Sequence, residues 1–115
     1  MNINVKKVKI VVTIPEENTS EVRDAMCKAG AGTLPDSNYT YCSNTVKSFG
    51  TFIPNSNANP YIGKPNQMEV VKEDRLEVVC EISRVKAVIS ELRKVHPYEE
   101  PAIDIIPLID ENDIV

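Results

Sequence analysis

The segment from His96 to Pro101 places the strictest constraint on the fold of this 115-residue chain. Pro97 ends the helical pattern before it, because proline has no amide hydrogen and clashes with the preceding helical turn. Pro101 is followed by the apolar run 102–108, which predicts a short buried strand. The corner between the prolines holds the only histidine of the chain, beside Tyr98 and two glutamates. A helix, a rigid corner and a strand are therefore predicted to meet at the residues best equipped for chemistry.

Length and charge limit the class of protein. A chain of this length supports one hydrophobic core, so residues 1–115 are predicted to form a single domain, with residues 109–115 as an acidic tail. The net charge of −4 argues against a nucleic-acid partner, which needs a basic surface. No apolar run reaches membrane-spanning length, and the first residues lack the features of a secretion signal, so no membrane partner is expected.

The three cysteines are odd in number and far apart in the sequence: Cys27, Cys42 and Cys80. A disulfide framework uses an even number, and a zinc knuckle uses closely spaced pairs. Neither pattern is present, so a reducing cytoplasmic location is expected.

Alternation and helical spacing predict the order strand, helix, strand, strand, strand, helix, strand. The predicted segments are a strand over 5–14, a helix opened by Pro15 and ended by Gly30, two strands over 39–46 and 50–53 around a tight connection, an extended segment over 68–82, a helix with Ser83 as its N-cap, and a strand over 102–108. A doubled strand-helix-strand unit predicts a ferredoxin-like α+β sandwich, βαββαβ, with an antiparallel sheet and both helices on one face.

Several local features allow more than one interpretation. Gly50 indicates either a β-bulge or a close approach of another group. Arg75 lies among acidic neighbours, Glu73 and Asp74 included, which are expected on a solvated or inter-subunit charged face. Val11 and Val79 are expected to be exposed beside sheet edges and to favour self-association.

The corner has two competing interpretations. His96, Glu99 and Glu100 would bind a divalent metal ion or relay a proton, most easily at a site shared between subunits that recruits Cys42 or Asp104. The structural alternative, which we favour, is that His96 caps the helix as a positively charged imidazolium. Cys42 is likewise either a nucleophile or, as we favour, a small buried apolar residue.

The run from His96 to Leu108 resembles the end of the insert domain of NIF-three-like proteins. Further motifs of that family match Pro15-Glu16-Glu17, Ala29-Gly30, Asn38–Ser43, Gly50–Pro54, Ala58–Gly63, and Glu69 with Arg75 and Glu77. The shorter piece His-Pro-Tyr-Glu-x-Pro is also similar to divalent-cation-tolerance proteins of the CutA type, which share a trimeric ferredoxin-like architecture with PII signalling proteins. The resemblance implies a stand-alone PII/CutA-like domain and favours a homotrimer.

Full-length NIF-three-like proteins carry a dinuclear metal site in domains that flank the insert. One histidine cannot supply that site, so we do not transfer hydrolase chemistry and predict that the chain is not an enzyme. We expect a non-catalytic oligomeric binding or regulatory module that takes a small ligand, a metal ion or a protein at inter-subunit clefts. The weaker alternatives are a CutA-like divalent-metal-binding tolerance protein and a component of a metal-dependent hydrolase. The expected cleft residues are Tyr39, Cys42, Phe52, Asn59, Arg75, His96, Tyr98 and Glu99.

Overall fold

Four antiparallel strands form one sheet in a computed structural model of the chain, which describes residues 4–115. The elements are β1 (Lys7–Pro15), α1 (Thr19–Lys28), β2 (Asn44–Phe52), β3 (Glu69–Glu81), α2 (Val85–Val95) and β4 (Ile103–Leu108). The sheet order is β2-β3-β1-β4, so the first and third strands are central. The two helices pack together on one face of the sheet. The predicted ferredoxin-like α+β fold is confirmed.

The core forms where the sheet meets the helices, because alternate residues of the central strands face the same way. The inward residues of β1 and β3 are fully buried, and the helices add residues at helical spacing. This cluster consists of Val8, Ile10, Val12, Ile14, Val22, Met26, Ala31, Leu76, Val78, Cys80, Val88 and Leu92. Burying one such side chain contributes about 1.5–3 kcal/mol. Strand alternation in β1 and β3 and helical spacing in α1 and α2 therefore account for the core.

The second strand is longer and more regular than the sequence suggested. Residues 39–46 and 50–53 were expected as two strands, but β2 is one strand that pairs with β3 without interruption from Asn44 opposite Glu77 to Phe52 opposite Glu69. The expected turn at residues 47–49 is absent because Lys47 stays in the ladder opposite Asp74. The unbroken register also rules out a bulge at Gly50.

Both helices begin later than predicted. Pro15 is the last residue of β1, and a 3₁₀ turn over Glu16–Asn18 separates it from α1. Ser83 lies inside a second 3₁₀ turn, Ile82–Arg84, and the N-cap of α2 is Arg84, without a side-chain hydrogen bond. The prediction of Ser83 as N-cap is therefore wrong. At the other end of α1, Gly30 adopts a φ of 118°, as expected for a left-handed helix terminus.

Three expectations about exposure are also wrong. The strand over 102–108 was expected to be buried, but β4 is an edge strand with no buried residue, and Ile105 and Ile106 are exposed. Val11 is only 3% exposed, because β1 and β3 are central strands and the sheet edges are β2 and β4. Glu73 and Asp74 are only 6% and 4% exposed rather than solvated. Asp74 faces the helices, where it accepts a hydrogen bond of 2.6 Å from the Thr19 hydroxyl.

The charge of Asp74 is balanced from the neighbouring strand. The ammonium of Lys47 lies 2.8 Å from its second carboxylate oxygen and 3.1 Å from a carboxylate oxygen of Glu16. Burial acts to raise the pKa of Asp74, but the hydrogen bonds from Lys47 and Thr19 outweigh it and hold the pKa below its usual value.

The sheet continues as a two-stranded arm beyond the end of β1. Because Pro15 pairs with Glu73, the β3 residues 69–72 pair only with β2 residues 49–52. We call these eight residues the arm.

Near the C-terminal end of the chain, Asp110 accepts a hydrogen bond from the Asn112 backbone amide and precedes a 3₁₀ turn, Glu111–Asp113. No helix within residues 4–115 is long and apolar enough to cross a membrane.

Candidate binding cleft

A cleft of about 520 Å³ opens on the face of the sheet that the helices leave bare. Strand alternation places Thr13, Ser48, Glu73 and Arg75 on this face, opposite to the core. The loop 54–62 and the corner residues 98–102 form the other walls. The cleft therefore lies where the base of the arm meets the His96–Pro101 corner.

Glu73 and Tyr98 form the polar centre of the cleft. The Tyr98 hydroxyl donates a hydrogen bond of 2.6 Å to Oε2 of the buried Glu73 carboxylate. Burial, together with this bond and the charge of Glu73, raises the pKa of Tyr98 far above its ordinary value of 10.0. Tyr98 is therefore a permanent hydrogen-bond donor at physiological pH, and it holds one oxygen of Glu73.

Gly50 makes room for the Glu73 side chain. A methyl group at Gly50 would overlap the Glu73 carboxylate, with the carboxyl carbon only 2.8 Å away. The close approach that the sequence allowed at Gly50 is therefore confirmed, and the approaching group is this carboxylate.

His96 lies beneath the cleft and is 7% exposed. Its Nε2 lies 2.9 Å from the carbonyl oxygen of Thr13, and its Nδ1 accepts a hydrogen bond of 3.1 Å from the Tyr98 amide. This pair of partners requires a neutral ring with its proton on Nε2. Burial lowers the pKa of His96, against the opposing effect of the Thr13 carbonyl.

The helix-capping interpretation of His96 is thus only half correct. Its backbone amide donates a hydrogen bond of 3.0 Å to the Leu92 carbonyl at the C-terminal end of α2. The side chain is neutral and bonds to Thr13 on β1, so the predicted charged imidazolium is wrong because burial disfavours the charge.

Three aromatic rings surround the mouth of the cleft. The rings of Phe52 and Tyr61 lie 6.5 Å and 6.4 Å from the Tyr98 ring, in tilted arrangements typical of aromatic pairs. Gly63 helps to place them, because it has a φ of 103° and a side chain there would meet Glu69 and the Phe52 ring. The loop therefore folds over the arm in a conformation that favours glycine.

Charged groups line the rim. Both oxygens of the Glu99 carboxylate lie within 3.3 Å of the Asn59 amide, which ties the corner to the loop. Glu100 also lines the cleft. The guanidinium Nε of Arg75 lies 3.4 Å from Glu77 outside the cleft. Three carboxylates against one guanidinium give the cleft a negative potential.

The structure brings together most of the residues that the sequence selected. Phe52, Arg75, Tyr98 and Glu99 line the cleft, Asn59 bonds to Glu99, and His96 supports Tyr98 from below. Tyr39 and Cys42 lie elsewhere, on the loop that follows α1. Tyr39 is 74% exposed, and the Cys42 amide bonds to the Gly32 carbonyl at 3.0 Å.

The expected metal ligands do not fit a metal ion within one chain. The Cys42 amide donates to the Gly32 carbonyl, and the Gly32 amide donates to the carbonyl of Val79, which pairs with Lys9 on β1. His96 instead bonds to Thr13 on β1. Lys9 and Thr13 lie four residues apart on β1, so roughly 13 Å separates the two regions. Both ring nitrogens of His96 are also engaged. Among residues 4–115, no group of three His, Cys, Asp or Glu side chains lies close enough to hold a metal ion.

The cysteines are free thiols: Cys27 and Cys80 are buried, and Cys42 is exposed. Burial raises the pKa of Cys27 and of Cys80, which keeps both protonated. The favoured expectation that Cys42 is buried is wrong, because residue 42 precedes β2 on an open loop.

Sequence reasoning missed Glu73, its contact with Gly50, and the packing of the Tyr61 ring against Tyr98. Glu73 was assigned to a solvated acidic cluster by its neighbours in sequence. The available signal was its position on β3: it shares a face with Arg75 and follows the alternation that leads to the arm. Without the strand register, nothing connected Glu73 to Tyr98, which lies 25 residues later.

The architecture is that of a ferredoxin-like α+β domain of the type found in CutA proteins. CutA from Ehrlichia chaffeensis superposes with a TM-score of 0.68 at 15% identity, covering 96% of this chain and 89% of that protein. CutA from Synechococcus elongatus gives 0.66 at 11% identity, covering 94% and 81%. At these identities the likeness shows the fold alone.

Sequence similarity points to a second group of proteins. The chain is 41% identical over 105 residues to a protein of Halalkalibacterium halodurans named GTP cyclohydrolase 1 type 2 homolog, covering 91% of this chain and 28% of that protein. A Bacillus subtilis protein of the same name is 42% identical over 100 residues, covering 87% and 26%. A Bacillus cereus structure described as related to NIF3 superposes with a TM-score of 0.77 at 33% identity, covering 95% and 28%.

No protein-family model matches the chain. The predicted resemblance to NIF-three-like proteins and to CutA is confirmed by these relatives. The chain spans between a quarter and a third of the length of the two named homologues, so it corresponds to one segment of them. The chain therefore has the fold of CutA proteins and is similar in sequence to one segment of NIF3-related proteins.

Proposed function

We propose that this module is a non-catalytic binding domain that self-associates and takes a small ligand in its cleft. The observation that carries the proposal is a bare apolar surface on the arm beside the cleft. Four large side chains on the arm and immediately past its strand ends are mostly exposed: Phe49 at 70%, Ile53 at 62%, Met68 at 64% and Val70 at 58%. A cluster of this kind on a small domain marks an interaction site.

Strand alternation supports a single continuous surface. Phe49 lies opposite Lys72, and Val70 lies opposite Thr51, so these positions share the face that β1 shares with the helices. Ile53 and Met68 lie immediately past the strand ends, next to these positions in the chain, and Ile53 also lines the cleft. We call Phe49, Ile53, Met68 and Val70 the apolar arm face.

A second copy of the chain is the partner we propose for the apolar arm face. Two-stranded hairpins are marginally stable alone and gain from packing against another element. The arm also exposes β2, an edge strand with unpaired backbone groups. We retain the homotrimer predicted from the sequence as the assembly, with the cleft at or near the subunit boundary.

The chemistry of the cleft supports binding rather than catalysis. The raised pKa of Tyr98 and the lowered pKa of His96 move both groups away from proton transfer near neutral pH. Both ring nitrogens of His96 are already occupied. The cyclohydrolase name belongs to proteins roughly three times as long, so we do not assign that activity to this segment. The three free thiols support the proposed cytoplasmic location.

Native mass spectrometry of protein purified without chelator, at several concentrations, tests this proposal. We expect a trimer, and a stoichiometric extra mass would identify a bound ligand. Val70→Lys should dissociate the assembly, because it places a charge on the apolar arm face. Ile114→Lys is the matched control, since Ile114 is 56% exposed but lies in the tail, and it should remain trimeric. A wild-type monomer at high micromolar concentration would reject self-association.

A further inference from the structure

We propose that the cleft recognises an organic cation: an ammonium or guanidinium group attached to a small apolar body. This inference rests on the proposed binding function and specifies the chemistry of its ligand. It is carried by the buried Glu73 carboxylate, by the three aromatic rings at the mouth and by the excess of negative charge on the lining.

One oxygen of the Glu73 carboxylate is available to accept a hydrogen bond from a ligand. The side chain is 6% exposed, and Oε2 is held by Tyr98. Among residues 4–115, Oε1 has no hydrogen-bond or ion-pair partner, and Glu73 lines the cleft. A carboxylate oxygen that is open to the cleft and meets a cationic donor forms a short charge-assisted hydrogen bond.

The aromatic rings at the mouth of the cleft also favour a cationic ligand. Phe52, Tyr61 and Tyr98 lie around the same opening, with Phe52 and Tyr61 each within 6.5 Å of Tyr98. The faces of aromatic rings attract cations and also cover apolar groups. A volume of about 520 Å³ suits a ligand of fragment size.

Other ligand chemistries fit less well. An anion would face Glu73, Glu99 and Glu100 with only Arg75 to oppose them, and Arg75 is drawn toward Glu77. A bare metal ion would lack the three side-chain donors it needs, since the described residues contain no such group. A neutral apolar ligand would leave Glu73 Oε1 without a donor.

The test is to titrate the protein with 2-phenylethylammonium as the probe and to monitor the backbone amide shifts by NMR. The neutral 2-phenylethanol and the anionic phenylacetate are controls of similar shape. We expect saturable shifts at the amides of Gly50, Phe52 and Tyr98 with the ammonium, at least tenfold weaker binding of the alcohol and no binding of the carboxylate.

Three variants test which groups of the cleft bind the probe. Glu73→Gln retains the size and the acceptor for Tyr98 but removes the charge, so ammonium affinity should fall at least tenfold. Glu111→Gln, an exposed carboxylate in the tail, is the matched control and should bind as wild type does. Phe52→Leu should weaken the ammonium several-fold and the alcohol less, because leucine keeps apolar contact but has no ring face.

The outcomes separate this inference from the proposed function. Equal binding of all three probes, or unchanged affinity in Glu73→Gln, would overturn cation recognition and leave the binding cleft intact. If no probe shifts these amides, both ideas about the ligand fail, while self-association is judged separately by mass spectrometry. Shifts of the same amides with protein concentration alone, abolished in Glu73→Gln, would identify a Lys or Arg side chain of a second copy as the cation.

Discussion

Replacing Gly50 with alanine is the most direct perturbation of the cleft. The added methyl would overlap the Glu73 carboxylate, whose carboxyl carbon would lie 2.8 Å away. Gly50 lies within regular β2 and outside the positive-φ positions, so alanine introduces no backbone strain. The substitution therefore acts through the side chain of Glu73 alone.

The expected cost follows from the contacts that Glu73 makes. Moving its carboxylate breaks the 2.6 Å hydrogen bond from Tyr98 in a buried site, and a hydrogen bond to a charged group is worth about 1.5–3 kcal/mol. Alanine in a strand recovers about 0.5–1 kcal/mol relative to glycine. The net loss in the free energy of unfolding should be about 1–2 kcal/mol.

Urea denaturation measures this loss, and titration of Tyr98 identifies its cause. Freed from Glu73, the Tyr98 pKa should fall toward its ordinary value of 10.0, which NMR of its ring protons would follow. In a Glu73→Ala background the obstruction is gone, so Gly50→Ala should be neutral or slightly stabilising there. A Gly50→Ala variant as stable as wild type, with Tyr98 titrating as before, would refute the reasoning.

Three further predictions concern the polar contacts of the corner and the core. Tyr98→Phe leaves Glu73 without its donor and should cost about 1–3 kcal/mol in urea denaturation; no change would mean that the 2.6 Å bond contributes nothing. The pKa of His96 in the folded protein is depressed below 6.5, so its contribution to stability is present above that pH and lost as pH falls through the folded pKa. His96→Gln should flatten this pH dependence of the melting temperature, and an unchanged dependence would contradict the assignment. Thr19→Val removes the hydroxyl that bonds to buried Asp74 and should cost about 1–3 kcal/mol, whereas Thr19→Ser should retain that bond; equal unfolding midpoints for the two would argue against it.

The sequence predicts the fold well where periodicity and burial agree. The alternation of Val8, Ile10 and Val12 and the helical spacing of Val88 and Leu92 follow directly from the need to bury one face of each element. The predicted turn at residues 47–49 failed because local composition carries no information about Asp74, the strand partner that keeps Lys47 extended.

The cleft was only partly predictable for the same reason. Tyr98 and Glu99 stood out because they lie in a corner fixed by two prolines. Glu73 resembled an ordinary surface acid, since its burial depends on the missing side chain of Gly50 across the sheet and on Tyr98 far along the chain. Such long-range complementarity leaves no pattern within a short window of sequence.

The corner joins three parts of the fold through successive side chains. His96 bonds to the Thr13 carbonyl on β1, Tyr98 bonds to Glu73 on β3, and Glu99 bonds to the Asn59 amide in the loop over the arm. Pro97 fixes the backbone between the first two contacts, which limits the entropy lost when they form. Any group that enters the cleft and shifts Tyr98 must therefore also disturb the sheet and the loop. Because that loop folds over the arm whose apolar face we propose as the contact with a second copy, ligand binding and self-association are expected to be coupled through these same residues.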